Sequence, residues 1–325
     1  MKDFLISAKH SAVFVGTVIG AGFATGEEIK LYFSGCSILS VVISALVFSS
    51  LLALFLYVGK IGFLKIKRFT VVLRIIKVGA VLISVIAMGA AAEDVVWGIL
   101  GIKGGGVLTL VATFTLALSG SKSLGIVNSI AVPLIVVFIV CIFIRVDTGV
   151  DISGKTSIVS AVGYASMNIF CGGMVVSRSG KEMSSKQIWV SSGFTFLAVS
   201  TLMVCIKLCI GSGVGSMPLV GVARNVGLET VAEVVVYLAV FTTMLSNVSL
   251  IYRDVKKVLR YDLGVLVFLV FTVTLSLKIG FSQIVQTGYP VVSFCGVAYV
   301  IYALVSLVLQ KSFFNKCDDG VHASG

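Results

Sequence analysis

Four glycines interrupt the first long apolar segment of this chain, and they mark the place where backbone chemistry is expected. Residues 16 to 28 read GTVIGAGFATGEE, so the run ends in two carboxylates. Glycine lets the backbone leave a helix, and inside a bilayer a freed N–H or C=O group without a partner costs several kcal/mol. A break at mid-membrane therefore predicts a ligand or an ion that completes the freed groups. The alternative is close helix packing, because Gly16-xxx-Gly20 and Gly22-xxx-Gly26 match a small-residue packing motif.

The composition of the chain is typical of an integral membrane protein. Hydrophobic residues make up 58% of the 325 residues and charged residues 12%, against about 25% charged in an average soluble domain. Apolar stretches long enough to cross a bilayer recur from end to end and leave no room for a sizeable soluble domain. The first stretch lacks a small-residue cleavage site, so we expect a retained span and not a removable signal peptide.

Charge and cysteine usage exclude several classes of site. The net charge of +11 does not indicate a nucleic-acid partner, because the basic residues form short clusters between apolar stretches. The seven cysteines are odd in number and lie mostly inside apolar segments, and the chain has two histidines. We therefore expect no disulfide framework, no metal centre built from Cys and His, and no cofactor.

The apolar pattern predicts an all-α integral membrane protein with ten transmembrane helices. We treat residues 1–325 as a single transmembrane domain, with five spans in 1–150, five in 151–310 and a cytoplasmic tail at 311–325. Residues 211–228 are broken by Gly and Pro218, so they are predicted to form a loop across the outer mouth. The predicted spans are 7–34, 37–59, 71–97, 105–120, 124–145, 156–177, 187–210, 229–251, 263–279 and 283–310.

The distribution of Lys and Arg over alternate loops predicts the orientation. With the N-terminus inside, eighteen of the 25 Lys and Arg residues fall on the cytoplasmic side. An excess of basic residues in cytoplasmic loops therefore favours a multi-pass protein of the cell membrane with both termini in the cytoplasm. The seven on the other side are Lys30, Lys103, Arg145, Lys155, Lys207, Arg224 and Lys278.

The opening span of each half is predicted to be broken. In the first half the break is at Gly20 to Gly22, and in the second it lies within residues 163 to 168, which read GYASMN. Corresponding breaks in two halves indicate an inverted repeat with a binding site near the midplane. Five spans per half make the two halves oppositely oriented.

The glycine run resembles the first-span motif of the amino acid-polyamine-organocation superfamily, and the whole pattern is similar to its YkvI-like bacterial membrane proteins. The resemblance implies the LeuT-type fold, a five-plus-five inverted repeat with helices 1 and 6 broken, and transport by alternating access. Carried over by position, it implies that the N–H groups of Ala21, Gly22 and Phe23 face a substrate carboxylate. The positive dipole end of the following half-helix would favour an anion there.

Span eight carries a second match. Its stretch AVFTT, ending in Thr242 and Thr243, resembles the A-x-x-[ST]-[ST] pattern of sodium-dependent relatives. The resemblance implies a Na⁺ site made of the carbonyl oxygens of Gly16, Ile19 and Ala239 and the two threonine hydroxyls, and hard cations do prefer oxygen ligands. The alternative is that each threonine bonds a carbonyl of its own helix or of a neighbour.

Polar side chains in span six are candidates for holding a substrate ammonium group. Tyr164, Ser166 and Asn168 surround the predicted second break, where freed carbonyls would also accept hydrogen bonds. Asn168 is the strongest candidate for recognising the substrate. Its alternative role is a hydrogen bond that joins two helices.

Carboxylates near membrane depth are costly and are therefore informative. Among them, Glu27 and Glu93 are the candidates for proton coupling, although solvated positions near the interface also explain them. Some sodium-independent relatives carry a Lys in span five in place of the cation. Span five here has no charge between Leu124 and Ile144, which favours sodium and leaves proton coupling open.

These observations predict an ion-coupled symporter for a small zwitterionic solute, with an amino acid as the expected substrate and Na⁺ as the expected ion. The alternative is a membrane receptor of the same fold that senses a solute without moving it. An enzyme is disfavoured, because no dyad of acid, base or metal ligands is placed at depth. The expected partners are this solute and the lipid bilayer, and the oligomeric state is left open.

Overall fold

The computed structural model describes residues 2–63, 67–119, 121–146, 154–212 and 215–322. In these ranges the chain forms α-helices, short 3₁₀ turns and an isolated bridge between Cys36 and Lys155, with no β-strand. The helices are α1 (Lys2–Val18), α2 (Ala21–Thr25), α3 (Glu27–Phe33), α4 (Ile38–Ile61), α5 (Lys67–Leu100), α6 (Gly105–Leu118), α7 (Ser121–Arg145), α8 (Ile158–Ser179), α9 (Ser185–Cys209), α10 (Pro218–Asn225), α11 (Glu229–Leu259), α12 (Asp262–Ser276) and α13 (Phe281–His322).

The helices have the length and polarity of a membrane protein. In the described ranges, 6 helices contain segments long and apolar enough to cross a bilayer: Ile38–Ile61, Val71–Leu100, Ile126–Arg145, Ser185–Cys209, Glu229–Leu259 and Phe281–Gln310. Gly105–Leu118, Ile158–Phe170 and Asp262–Ser276 are shorter apolar helices. Large apolar side chains are exposed on the outer surface, including Leu108, Ile144 and Phe294. Such a surface suits lipid, as expected for an integral membrane protein.

Each of the ten predicted spans coincides with helix. The first contains α1 and the short helices α2 and α3, and the other nine each contain one helix. The predicted outer loop contains α10, an eight-residue helix with Pro218 in its first turn, which is far too short to cross a bilayer. The number of membrane crossings and the inverted repeat stay predictions.

The break predicted in the first span is present. Helix α1 ends at Val18 and α2 begins at Ala21, with Gly20 between them in an extended conformation (φ −108°, ψ −172°). A second corner separates α2 from α3 at Gly26, whose φ of 78° lies in the left-handed region that favours glycine. The first span therefore changes direction twice within seven residues of chain.

The break predicted in span six is wrong. Helix α8 runs without interruption through residues 163 to 168, and Asn168 Nδ2 donates to the Tyr164 carbonyl of the same helix at 3.1 Å. Glycine serves close packing here. A Cβ on Gly296 of α13 would lie 2.2 Å from the Ser166 carbonyl oxygen, and a Cβ on Gly59 of α4 would lie 1.9 Å from that of Ser177. This is the packing role of small residues in membrane helices.

The broken span lies between two groups of packed helices. Helix α8 packs along α4 and α13, and α11 packs along α5, α6 and α7. Helix α1 contacts α8 and α9, while α2 contacts α11. The corner at Gly20 therefore lies between α8 on one side and α11 on the other.

Candidate functional site

The corner between α1 and α2 is tied to α11 by one hydrogen bond. The Gly20 N–H turns back to the Val18 carbonyl at 2.8 Å, and the Gly20 carbonyl accepts from Ala24 at 2.9 Å. The Ala21 N–H donates to Thr243 Oγ1 at 3.2 Å. Helix α2 is thus held by a side chain of α11 and not by the helical ladder of α1.

Four other peptide groups at this corner have no protein partner in the described part of the chain. They are the N–H groups of Gly22 and Phe23 and the carbonyl groups of Gly16 and Ile19. The helical ladder would have satisfied each of them if α1 had continued. Two donors and two acceptors are therefore free at one corner, where water, an ion or a solute can complete them.

A cavity of about 1120 Å³ adjoins the corner. Its wall includes Gly16, Ile19 and residues 20 to 22 of the broken span. It continues between α5, α7 and α11 as far as Asp254. Thr243 and Asp254 are separated by about 16 Å of α11, at 1.5 Å per residue. The cavity therefore runs from the break to one end of the molecule.

The predicted cation ligands come together on this wall, with one exception. Gly16, Ile19, Thr242 and Thr243 all line the cavity, whereas Ala239 is fully buried within α11. Thr242 Oγ1 and Thr243 Oγ1 donate to the Ala239 carbonyl at 3.0 and 2.8 Å. Both hydroxyls thus make the same-helix bond that sequence analysis gave as the alternative, while their oxygen atoms remain acceptors.

The predicted substrate-binding residues divide into two groups. Ala21, Gly22 and Asn168 line the cavity. Phe23, Tyr164 and Ser166 are each 1% exposed or less and lie behind its wall. The Tyr164 ring packs edge-on against Tyr32 and Phe33 of α3, with centroids 5.6 and 5.5 Å apart.

The two carboxylates predicted for proton coupling are engaged outside the cavity lining. Glu93 accepts from the N–H groups of Gly104 and Gly106 at 2.8 and 3.0 Å, so it caps the start of α6. Glu27 accepts from Ser282 Oγ of α13 at 2.5 Å. The contacts of Glu93 are those of a structural helix cap.

A third carboxylate, Glu28, does line the cavity, and sequence analysis did not select it. Neighbouring positions in a helix point about 100° apart, so the left-handed corner at Gly26 decides which of Glu27 and Glu28 faces inward. Seven residues of α3 are too few for a periodic pattern to reveal its inner face. The only signal was the cost of a carboxylate at this depth.

Comparisons with known proteins place the chain among membrane proteins. No protein-family model matches it. It is 22% identical over 328 residues to "Uncharacterized membrane protein YkvI" of Bacillus subtilis (strain 168), covering 89% of this chain and 92% of the relative. It is 24% identical over 337 residues to "Uncharacterized protein YyaD" of the same organism, covering 93% and 97%.

Solved structures show the same architecture. The crystal structure of the Eremococcus coleocola manganese transporter, in complex with an aromatic bis-isothiourea substituted compound, matches with a TM-score of 0.59 at 14% identity, covering 94% of this chain and 77% of that one. A mutant of that transporter matches with a TM-score of 0.54 at 15% identity and the same coverage. The chain has a membrane-transporter fold. That similarity, under 25% identity, concerns the fold alone.

Polar residues away from the break complete the wall of the cavity. Asn247 Nδ2 of α11 donates to Ser84 Oγ of α5 at 2.7 Å, and Asn128, Ser129 and Ser246 also line the space. Sequence analysis did not name these residues, because a single Ser or Asn in an apolar helix is equally typical of helix packing.

Ionic contacts surround the far end of the cavity. Asp254 of α11 pairs with Lys77 Nζ of α5 at 3.2 Å, with Lys257 Nζ at 3.6 Å and with Arg74 Nε at 3.9 Å. Lys77, Asp254 and Lys257 contribute to the cavity wall. The cavity therefore approaches solvent at the end where basic residues cluster.

Proposed function

We propose that this protein is a secondary active transporter that moves a small zwitterionic solute, an amino acid in the simplest case, by ion-coupled alternating access. One observation carries the proposal. The first span is unwound beside a cavity, and two N–H groups and two carbonyl groups there lack protein partners in the described chain. Broken helices that present bare peptide groups to a cavity are the usual binding sites of secondary transporters.

The substrate carboxylate is proposed to bind at the start of α2. Within the described part of the chain, the Gly22 and Phe23 N–H groups have no acceptor. Because free N–H groups attract anions, this corner suits a carboxylate better than a neutral group.

The ammonium group of the substrate is proposed to bind on the opposite wall, at α8. Since α8 is unbroken, it offers no freed carbonyls, and the candidate acceptor is the amide oxygen of Asn168. Its Nδ2 is occupied by the Tyr164 carbonyl, which leaves the Asn168 Oδ1 as an acceptor on the cavity wall. Ser166 and Tyr164 support this wall from behind.

The membrane arrangement belongs to the same proposal. Ten spans with both termini in the cytoplasm, arranged as an inverted repeat of residues 1–150 and 151–310 in one transmembrane domain, place the Asp254 end of the cavity inside the cell. Residues 311–325 form the cytoplasmic tail, into which α13 continues. The cavity then corresponds to an inward-open state at the cell membrane.

The coupling ion is proposed to be Na⁺ or a proton. Na⁺ is supported by the convergence of Gly16, Ile19, Thr242 and Thr243 on one wall, since two free carbonyls and two hydroxyl oxygens are ligands that a hard cation prefers. A proton requires a carboxylate at the break, and Glu28 lies there against Gly22, whereas Asp254 lines the far end of the cavity and pairs with Lys77.

Uptake into proteoliposomes tests the proposal. Each of the common amino acids, in radiolabelled form, is offered to purified full-length protein under an inward sodium gradient, an inward proton gradient, or neither. The proposal expects at least one amino acid to accumulate under a gradient. Absence of gradient-driven accumulation across the panel contradicts transport. Saturable binding without uptake or counterflow instead identifies a solute-sensing receptor.

A further inference from the structure

The carboxyl group of Glu28 lies directly against the proposed carboxylate site. A Cβ built on Gly22 would lie 2.2 Å from Glu28 Oε1 and 2.6 Å from Glu28 Cδ, so the carboxyl covers the Cα of Gly22. Glu28 is 7% exposed and forms part of the cavity wall. Its Oε2 atom is buried and has no hydrogen-bond partner in the described structure.

No described cation neutralises Glu28. Helix α3 packs against α2, α8, α9 and α13, and no described Lys, Arg or His forms an ion pair with Glu28. Lys207 of α9 instead donates to a backbone carbonyl of α3 at 2.7 Å. The titratable side chains on α3 and on the adjoining stretches of the helices around it are Glu27, Lys30, Tyr32, Tyr164, Lys207, Cys209 and Tyr289, and Lys30 Nζ donates to the Gly215 carbonyl.

Tyr164 is a second buried polar group at this place. It lies within electrostatic range of the Glu28 carboxyl. Its hydroxyl is buried, and the polar groups that face it are the Glu28 carboxyl and the Asn168 side chain. Buried polar atoms are normally paired, and Glu28 Oε2, on the carboxyl that covers Gly22, has no partner within hydrogen-bond distance in the described structure. A ligand at this place would complete it.

A carboxylate ligand at Gly22 would stand beside an ionised Glu28. Two carboxylates that share one weakly solvated site repel each other strongly, and the usual resolution is that one of them holds a proton. A protonated Glu28 removes the repulsion and also supplies an O–H donor. Substrate and proton therefore favour each other's binding, and this linkage acts equally in both directions.

We propose that Glu28 takes up one proton together with the substrate carboxylate, which makes the proton the coupling ion. The inference rests on the proposed transport function and selects between its two candidate ions. On the outward side the carboxylate of Glu28 gains H⁺ and becomes a neutral carboxyl. On the inward side the substrate leaves first, and Glu28 then releases the same proton through the cavity. Each cycle moves one proton with one solute.

The protonation of Glu28 is tested without any substrate. Purified full-length protein in lipid nanodiscs is compared between acid and alkaline buffer by infrared difference spectroscopy, which detects the C=O stretch of a protonated carboxyl. The wild type is expected to show a titrating carboxyl band that Glu28→Gln lacks. The control is Glu233→Gln, at a half-buried carboxylate near the start of α11 outside the cavity lining, and it is expected to keep the band. If Glu28→Gln leaves the difference spectrum unchanged, Glu28 does not exchange protons and the inference is overturned.

Coupling is tested with the amino acid that the uptake panel identifies. Wild-type affinity is expected to fall by up to about tenfold per pH unit as Glu28 loses its proton, the slope for one linked proton. Glu28→Gln is expected to bind independently of pH and to retain exchange of internal for external substrate, but to lose proton-driven accumulation. Glu28→Asp, which keeps a titratable carboxyl, is expected to retain pH dependence.

Several outcomes contradict the inference while leaving transport intact. One is sodium-driven accumulation with no pH dependence of affinity. Another is loss of pH dependence in Glu27→Gln but not in Glu28→Gln. If no amino acid binds at all, the proposed substrate class is wrong, and the infrared comparison still decides whether Glu28 exchanges a proton.

Discussion

The Ala21 N–H group donates to Thr243 Oγ1 across 3.2 Å, although the two residues are 222 positions apart in the chain. The same hydroxyl donates to the Ala239 carbonyl at 2.8 Å. One threonine thus replaces the helical partner that Ala21 loses at the break, and it joins the broken span to α11. A movement that separates α2 from α11 must lengthen this bond.

Removing the Thr243 hydroxyl is expected to destabilise the corner. Thr243→Val keeps the shape of the side chain but leaves the Ala21 N–H unpaired, a loss of about 1–3 kcal/mol. Thr242→Val loses a hydroxyl that donates to the Ala239 carbonyl of its own helix, so a smaller effect is expected. Thermal unfolding of both variants in detergent measures the difference. Equal midpoints for the two variants would contradict the role of Thr243.

The same pair of variants distinguishes the candidate ions. If Na⁺ binds the threonine hydroxyls, stabilisation of the protein by sodium salt over choline salt disappears in Thr243→Val, because the cation loses an oxygen ligand. If the coupling ion is the proton on Glu28, the variant responds to both salts as the wild type does. Thermal midpoints in the two salts, with and without the transported amino acid, provide the comparison.

Adding one methyl group at Gly22 is expected to displace Glu28. The new Cβ of Gly22→Ala would overlap the Glu28 side chain, whose Cγ lies 2.5 Å from that position. Transport and pH dependence should both weaken, while Gly22→Ala combined with Glu28→Ala should recover stability relative to Gly22→Ala alone. A double-mutant cycle on the unfolding midpoints measures this coupling. Additive effects would show that the two side chains do not touch.

The close approach of α8 and α13 predicts contrasting effects at two glycines. A Cβ on Gly296 would lie 2.2 Å from the Ser166 carbonyl, whereas a Cβ on Gly193 of α9 would meet nothing within 4 Å. Gly296→Ala is therefore expected to lower stability by about 1–3 kcal/mol through overpacking. Gly193→Ala should raise it by about 0.5–1 kcal/mol, since Ala is the better helix former. Thermal midpoints that fail to move in opposite directions would contradict this packing.

Removing the Glu93 carboxylate distinguishes a structural role of this residue from a role in proton coupling. Glu93→Ala removes both acceptors at the start of α6 and is expected to cost about 0.5–2 kcal/mol, as for other helix caps. As a cap, Glu93 should leave the pH dependence of uptake in the surviving folded protein unchanged. A coupling residue would abolish that dependence, so uptake measured against external pH decides between the two roles.

The proposed orientation predicts the side of the membrane from which a water-soluble reagent enters the cavity. Ser246 lines the cavity between the break and Asp254. In a background with the native cysteines replaced, Ser246→Cys is expected to react with a membrane-impermeant thiol reagent in inside-out vesicles and to be protected in right-side-out vesicles. Ser50→Cys, at an exposed position on α4 outside the cavity, is the control for labelling that does not depend on the cavity. The opposite labelling pattern would reverse the proposed orientation.

Local sequence sufficed for the helices and for the first break. Long apolar stretches can satisfy their backbone groups in a bilayer as helices, and every predicted span is helical in the structure. Gly20 and Gly22 remove the side chains that would favour a continuous helix, and the chain does break there. In span six the same reasoning failed, because the glycines around α8 admit neighbouring helices and not a bend. A glycine in the sequence does not by itself distinguish a helix break from close packing against a neighbouring helix.

The sequence by itself determined that this protein lies in a membrane, which segments form helices, and where the first span is broken. These features depend on hydrophobicity and on glycine, and both act on residues that are neighbours in the chain. Only the tertiary structure decided what faces the break. Thr243 reaches Ala21 from the other half of the chain, and a left-handed turn at Gly26 directs Glu28 and not Glu27 toward the cavity. Helix rotation and packing between distant segments set these contacts, and no local pattern encodes them.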